Sequence, residues 1–242
     1  MKALNKILKD KKTLLFVDFE GTQFTHEIIA TGIYKCYIDE TGNIIDEPND
    51  GLLIYSKPRS QIGKIVTRMT SLTEEFIAEH GISFKDTITK IEEYIGEDLE
   101  NALFVCFGSS DPKMVLESCR ISHPENSINA KKWLNQFFDL MQFISQYIRD
   151  DHNNTYSLVN FLKLYNVEPV GISHNPLNDA KDLKNLYKAF ISNPDILFNE
   201  YNKVLQKMKI YPAPVAEVIR KLSSGEDVTS EEFSTLIRNY LE

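Results

Sequence analysis

A buried strand that ends in two acids constrains this chain more than any other feature of it. Leu14-Leu15-Phe16-Val17-Asp18-Phe19-Glu20-Gly21-Thr22 opens with an unbroken apolar run, which reads as a buried strand. Side chains alternate along a strand, so Asp18 and Glu20 share one face while Phe19 points to the other. Two carboxylates side by side at the end of a buried strand repel each other and resist desolvation. A cation between them relieves both costs, and hard ions such as Mg²⁺ favour carboxylate oxygens. The same segment also reads as an ordinary strand that runs out into solvent with two exposed acids.

Bulk properties narrow the classes. With 242 residues, 42% of them hydrophobic, the chain can bury a sizeable core and suits one domain with an appendage. A net charge of -8 argues against a high-affinity, sequence-independent duplex binder, which would carry a basic face. A nucleic-acid enzyme stays open, because bound metals reverse the sign of an acidic pocket. Cys36, Cys106 and Cys119 are widely spaced and odd in number, with no zinc or disulfide pattern, so a reduced, cytoplasmic setting is expected. No apolar run is long enough to span a membrane, and the basic start Met1 to Lys9 lacks the apolar stretch of a signal peptide.

Along the chain, Leu4, Ile7 and Leu8 predict a short amphipathic helix whose lysines alternatively touch a phosphate backbone. Ile29 to Ile38 and Ile44 to Tyr55 predict two strands joined by the turn Asp39-Glu40-Thr41-Gly42-Asn43, so the domain opens as an antiparallel meander. Thr70-Ser71-Leu72-Thr73-Glu74-Glu75 carries a helix-start signature, and Phe84 to Ile95 places Ile88, Ile91 and Ile95 on one helical face. Ala102 to Phe107 reads as a short buried strand. Asp111 follows it, either at a ligand site beyond a strand end or as a helix N-cap with Pro112 at the first helical position. Pro124 to Asn129 reads as loop, Trp133 to Leu140 as a strand feeding a helix, and Thr155 to Tyr165 as a helix.

Asn175 and Pro176 start another helix, which puts His174 just outside it and Asp179 on its second turn. A lone loop histidine is more often structural than catalytic, and His26, His80, His123 and His152 lack a comparable setting. After Asn193 the pattern is helical: Asp195 to Met208, Val215 to Leu222 and Glu231 to Leu241, with Thr229 and Glu232 as a capping box. Residues 1–193 are therefore expected to form the main domain and 194–242 a helical extension.

In chain order the acids run Asp-x-Glu on a first strand, Asp after a later strand, and His-x4-Asp opening a late helix. This arrangement resembles the DEDDh 3′–5′ exonucleases over roughly Thr13 to Ile191, nearest the branch with KapD-like and histone-mRNA exonucleases. The resemblance includes the surroundings of the last motif, Lys163-Leu164-Tyr165-Asn166-Val167 and Ser173-His174-Asn175-Pro176-Leu177-Asn178-Asp179-Ala180, and Thr70-Ser71-Leu72-Thr73, which looks like the family's Thr-Gly-Ile-Thr loop. Gly21 stands where many relatives have Thr, and Gly108-Ser109-Ser110-Asp111 departs from the polymerase-proofreading group.

The resemblance implies an α/β, ribonuclease H-like mixed sheet: an antiparallel meander continuing into parallel strands, flanked by helices, with the C-terminal helical appendage. It implies two divalent cations, Mg²⁺ or Mn²⁺, with Asp18 bridging both, Glu20 and Asp179 on the nucleophile side, and Asp111 on the other. His174 would be the general base, while Gly21, Thr22 and Leu72 would contact the terminal nucleotide, Leu72 as an apolar wedge. The implied activity is hydrolysis of single-stranded RNA or DNA from the 3′ end, releasing nucleoside 5′-monophosphates; short oligonucleotides or proofreading are narrower versions. The alternative is a catalytically silent regulatory module that binds a protein partner, or itself, through the C-terminal helices.

Overall fold

The computed structural model describes the chain except for residues 49, 123–127, 172–173, 209 and 242. The expected loop at 124–129 therefore falls largely outside the described residues, as does His123. Helix α1 (Lys2–Ile7) precedes strand β1 (Thr13–Gly21), β2 (Ile28–Ile38), β3 (Ile44–Asp46) and β4 (Leu52–Tyr55). Helices α2 (Lys64–Thr70), α3 (Glu74–His80) and α4 (Phe84–Ile95) follow, then β5 (Ala102–Cys106), α5 (Ser110–Ile121) and α6 (Ile128–Trp133). Next come β6 (Phe137–Asp139), α7 (Leu140–Ile144), α8 (Leu158–Leu164) and α9 (Pro176–Ser192), and finally α10 (Pro194–Lys207), α11 (Ala213–Ser223) and α12 (Ser230–Leu241).

The chain divides into two compact units: Met1–Phe143 with Ser157–Ser192, and Ile144–Tyr156 with Asn193–Glu242. In the first, the sheet order is β3-β2-β1-β5-β6, with β4 also pairing β2. β1 runs antiparallel to β2 and parallel to β5, and β5 runs parallel to β6, so the meander-then-parallel expectation is what the sheet shows. The turn between β2 and β3 closes as its sequence predicts: the Asp39 carboxylate accepts from the Thr41 and Asn43 amides.

Two expectations are corrected, and one helix is added. Ile44 to Tyr55 is two short strands on one edge of β2, because Pro48 has no N–H to give a ladder and Gly51 takes φ 92. Ile128 to Gln136 is a helix and a 3-10 turn, leaving only Phe137–Asp139 as strand. Helix α2, which the sequence pattern did not place, occupies Lys64–Thr70.

Alternation along β1 sorts its side chains onto two faces. Leu15, Val17 and Phe19 join Phe104, Ile88, Ile91, Val115 and Trp133 in the cluster beneath α4, α5 and α6. On the other face Phe16 meets Tyr187 of α9, ring centroids 5.4 Å apart, and the same alternation puts Asp18 and Glu20 on that face. Gly32 of β2, paired with Asp18, is what admits α9 there: a Cβ on Gly32 would lie 2.1 Å from the Pro176 carbonyl. Farther along, Tyr187 donates to the Gly42 carbonyl at 2.7 Å, and Lys184 and Lys188 both pair with Glu47.

In the second unit, Tyr147 packs edge-on to Tyr201 and Lys207 pairs with Asp151 at 2.9 Å. The capping box at Thr229 and Glu232 forms, with Glu232 also pairing Lys221 of α11. Phe233, Ile237, Tyr240 and Leu241 of α12 remain exposed. No helix among the described residues is long and apolar enough to cross a membrane.

Gly32→Ala must push the first turn of α9 off the sheet, since backbone atoms, not a flexible side-chain tip, occupy the space. We expect it to destabilise the protein by about 1–3 kcal/mol or more, as overpacked cores do. Thermal unfolding checks this, and a Tm equal to that of the parent would show that α9 does not rest on Gly32.

Candidate active site

Each of the expected site residues can be traced to the element that carries it. β1 outruns β5: their pairing stops at Phe16 and Val105, which leaves the Phe19 N–H without a strand partner. A buried amide needs an acceptor, and Asp111 supplies it, Oδ1 accepting from Phe19 at 2.9 Å. Asp111 is thus not the N-cap of α5; it sits in the first turn, 4% exposed, and is committed to the acid-bearing strand. On the opposite side of β1, Asn175 caps α9 by accepting from the Leu177 and Asn178 amides. That start brings Asp179 down onto Asp18 and Glu20.

Carboxylate oxygens of Asp18, Glu20 and Asp179 lie within 4.8 Å of one another, all three residues half-buried. His174 has φ 66, a backbone conformation few non-glycine residues adopt; its amide donates to Asp179 Oδ2 at 2.8 Å. Its Nδ1 stands 3.8 Å from Glu20 Oε1. All five residues expected to do chemistry therefore converge around the end of β1.

The acids crowd one another. Burial, then Asp111, Glu20 and Asp179, pushes Asp18 well above the ordinary carboxylate range. Burial with Asp179 and Asp111 pushes Glu20 up to about 7. Asp111 is raised by burial against the opposing Phe19 amide, and Asp179 is raised by burial against the His174 amide. Four carboxyls in so small a space cannot all ionise without positive charge among them. The half-buried hard oxygens of Asp18, Glu20 and Asp179 fit a divalent cation.

The expected substrate contacts are placed differently from the carboxylates. Gly21 follows a β-bulge after Glu20, and Met114 fills the space a Cβ would take, its Sδ 2.9 Å away. Thr22 is buried, its hydroxyl held by Thr25 and by the Glu27 amide. Leu72, 8% exposed, packs with Ile29, Ala30, Ile62 and Ile77. By contrast Phe24, in the same turn as Thr22, is 77% exposed.

Sequence reasoning missed Phe24, although an aromatic residue four positions beyond Glu20 in a polar turn was a readable signal. It also missed Asp139, which accepts from the Gly108 and Gln142 amides and adds to the rise of Asp111. No local pattern marked Asp139, because its role depends on β6 lying beside β5.

An acid whose folded pKa exceeds its unfolded value binds its proton more tightly in the folded state. Between about 4.5 and about 7 the unfolded chain therefore holds fewer protons at Glu20, and stability falls as pH rises through that window. In chelator we expect Tm to decline across it, and Glu20→Gln to flatten the decline and raise Tm near pH 7. An unchanged slope in the Gln variant would show that Glu20 is not held in a repulsive site.

No protein-family model matches the chain, and no curated protein does. Among solved structures, a full-length 3′-exonuclease is similar at 16% identity and a TM-score of 0.59, covering 76% of this chain and 62% of that one. The nuclease domain of 3′hExo, a DEDDh family member bound to rAMP, is similar at 19% identity and a TM-score of 0.57, covering 76% of this chain and 93% of that domain. Escherichia coli exonuclease I in complex with a dT13 oligonucleotide matches at 16% identity and a TM-score of 0.58, over 81% of this chain and 44% of that one. The chain thus spans less than two thirds of the full-length exonuclease and of exonuclease I. Its mixed sheet flanked by helices has the ribonuclease H-like fold of these neighbours.

Proposed function

We propose that this chain is a metal-dependent 3′–5′ exonuclease that hydrolyses single-stranded RNA or DNA from the 3′ end and releases nucleoside 5′-monophosphates. The observation that carries this reading is the convergence of Asp18, Glu20 and Asp179 within 4.8 Å, with His174 at their edge. Similar folds that bind an rAMP or a dT13 oligonucleotide support the substrate class.

A phosphodiester repels nucleophiles through its own negative charge. Divalent cations held by Asp18, Glu20 and Asp179, and by Asp18 with Asp111, would neutralise that charge and stabilise the leaving oxygen. His174 takes the proton of the attacking water; the P–O3′ bond breaks, and the leaving 3′-oxygen acquires a proton from solvent. The bond from its own amide to Asp179 keeps the imidazole beside the acids. His174→Ala lowers turnover by roughly two to four orders of magnitude, the usual worth of a positioned base.

Single-stranded substrate suits an acidic protein, since stacking on an aromatic face recognises any base without a basic groove. Phe24 offers that face next to the buried Gly21-Thr22 step, whereas Leu72, buried in its cluster, presents little surface to a base.

Release of mononucleotides from a uniformly labelled oligonucleotide with Mg²⁺, run on RNA and DNA in parallel, tests the reading. Asp18→Asn and Asp179→Asn should abolish release while Tm in chelator stays the same or rises, because one repelling charge is gone. Turnover retained by the Asp18 variant would sink the assignment, and no release from either substrate by the parent would favour the silent module.

Phe24→Ala should raise KM for oligonucleotides several-fold, since base–aromatic stacking contributes about 1–3 kcal/mol. Steady-state kinetics at saturating metal check this. An unchanged KM would remove Phe24 from the substrate path.

A further inference from the structure

One buried acid beside the site has no part in the chemistry described so far. Asp182 lies one turn beyond Asp179 on α9 and is 4% exposed. Its Oδ1 accepts from the Val170 amide at 2.8 Å. Val170 belongs to the segment between α8 and α9 that ends in His174. Asp179 accepts from the His174 amide at the other end of that segment. Gly171 is closed against the same helix, since a Cβ there would lie 2.7 Å from Asn178 Nδ2. Contacts along the first two turns of α9, at Asn178, Asp179 and Asp182, thus hold the described residues that lead to the base.

We propose that Asp182 is a positioning residue for His174: its bond anchors Val170 on α9, upstream of the point where Asp179 holds the His174 amide. This rests on the reading of His174 as the general base. A charged acceptor is a costly choice for mere packing. A buried carboxylate loses hydration, and Asp182 also adds to the repulsion felt by Asp179. What the carboxylate offers in return is a charge-assisted hydrogen bond, shorter and roughly twice as strong as a neutral one. His174 at φ 66 carries backbone strain that its surroundings must hold, and Val170 is an anchor four residues upstream of it. Small displacements of a catalytic group are expensive, about 10²-fold for 1 Å.

The test is a double-mutant cycle on the full chain: parent, Asp182→Ala, Asp182→Asn, His174→Ala and Asp182→Ala with His174→Ala. Single-turnover cleavage of a 5′-labelled single-stranded oligonucleotide is followed at saturating Mn²⁺, with KM and the half-saturating Mn²⁺ concentration measured for each. Asp182→Ala is expected to slow cleavage about 10–100-fold with KM and metal requirement unchanged, and to slow the His174→Ala protein no further. Asp182→Asn keeps an oxygen acceptor for Val170 but not its charge, and should be slowed less than the Ala variant and by less than about tenfold.

An Ala substitution that slows both backgrounds by the same factor, or that shifts the metal requirement by that factor, would make Asp182 a structural residue and overturn the proposal. So would an Asn variant as slow as the Ala variant, or one slowed by tenfold or more where Asp182→Ala does not fold. A His174→Ala protein with the parental rate would overturn the base reading itself and the inference with it. Additive losses, in contrast, would overturn the inference alone.

Discussion

The approach of α9 to the sheet over Gly32 is the contact on which the rest of the structure depends. β2 offers no side chain opposite Asp18, and the first turn of α9 fills that gap with the backbone of Pro176 and Leu177. Helix geometry then does the remainder. Starting the helix at Pro176 over the strand that carries the acids puts Asp179, one turn in, over Asp18 and Glu20. The Phe16–Tyr187 contact and the Glu47 pairs with Lys184 and Lys188 keep the helix axis along the sheet.

That approach creates an electrostatic problem at the same point. Asp18, Glu20, Asp111 and Asp179 are each shifted upward chiefly by burial, and then by neighbouring acids. The backbone relieves some of the pressure: the Phe19 amide stabilises charge on Asp111, and the His174 amide stabilises it on Asp179. One of these amides lies between the paired acids and the other is that of His174, whose ring stands beside Glu20. The hydrogen bonds that hold the acids in place are therefore the bonds that hold the strand end and the histidine segment.

The carboxylate site was legible in the sequence to an unusual degree, because its information is local. Asp18 and Glu20 share a face by strand alternation, and His174 and Asp179 are placed by a capped helix start. Asp111 was ambiguous for the same reason: a residue before Pro112 looks like a cap until the unpaired Phe19 amide is known to lie within reach. Gly32, Asp139 and Asp182 carried no readable signal, since each acts on a partner distant in the chain. The break in Ile44 to Tyr55 was readable in retrospect from Pro48 and Gly51, but apolar patterning on either side masked it.

The sequence alone determined the antiparallel start of the sheet, the pairing of the first two acids on one face, and the start of the helix that bears Asp179 and adjoins His174. Backbone periodicity and capping decide those features, and they act over a few residues. Only the tertiary structure decided which acids share a site, which one lends itself to an orphaned amide, and how closely a helix may lie on the sheet. Those outcomes depend on the length by which β1 outruns β5 and on a missing Cβ at Gly32. Packing distances of this kind are set by atoms far apart in the chain, where no local pattern can register them.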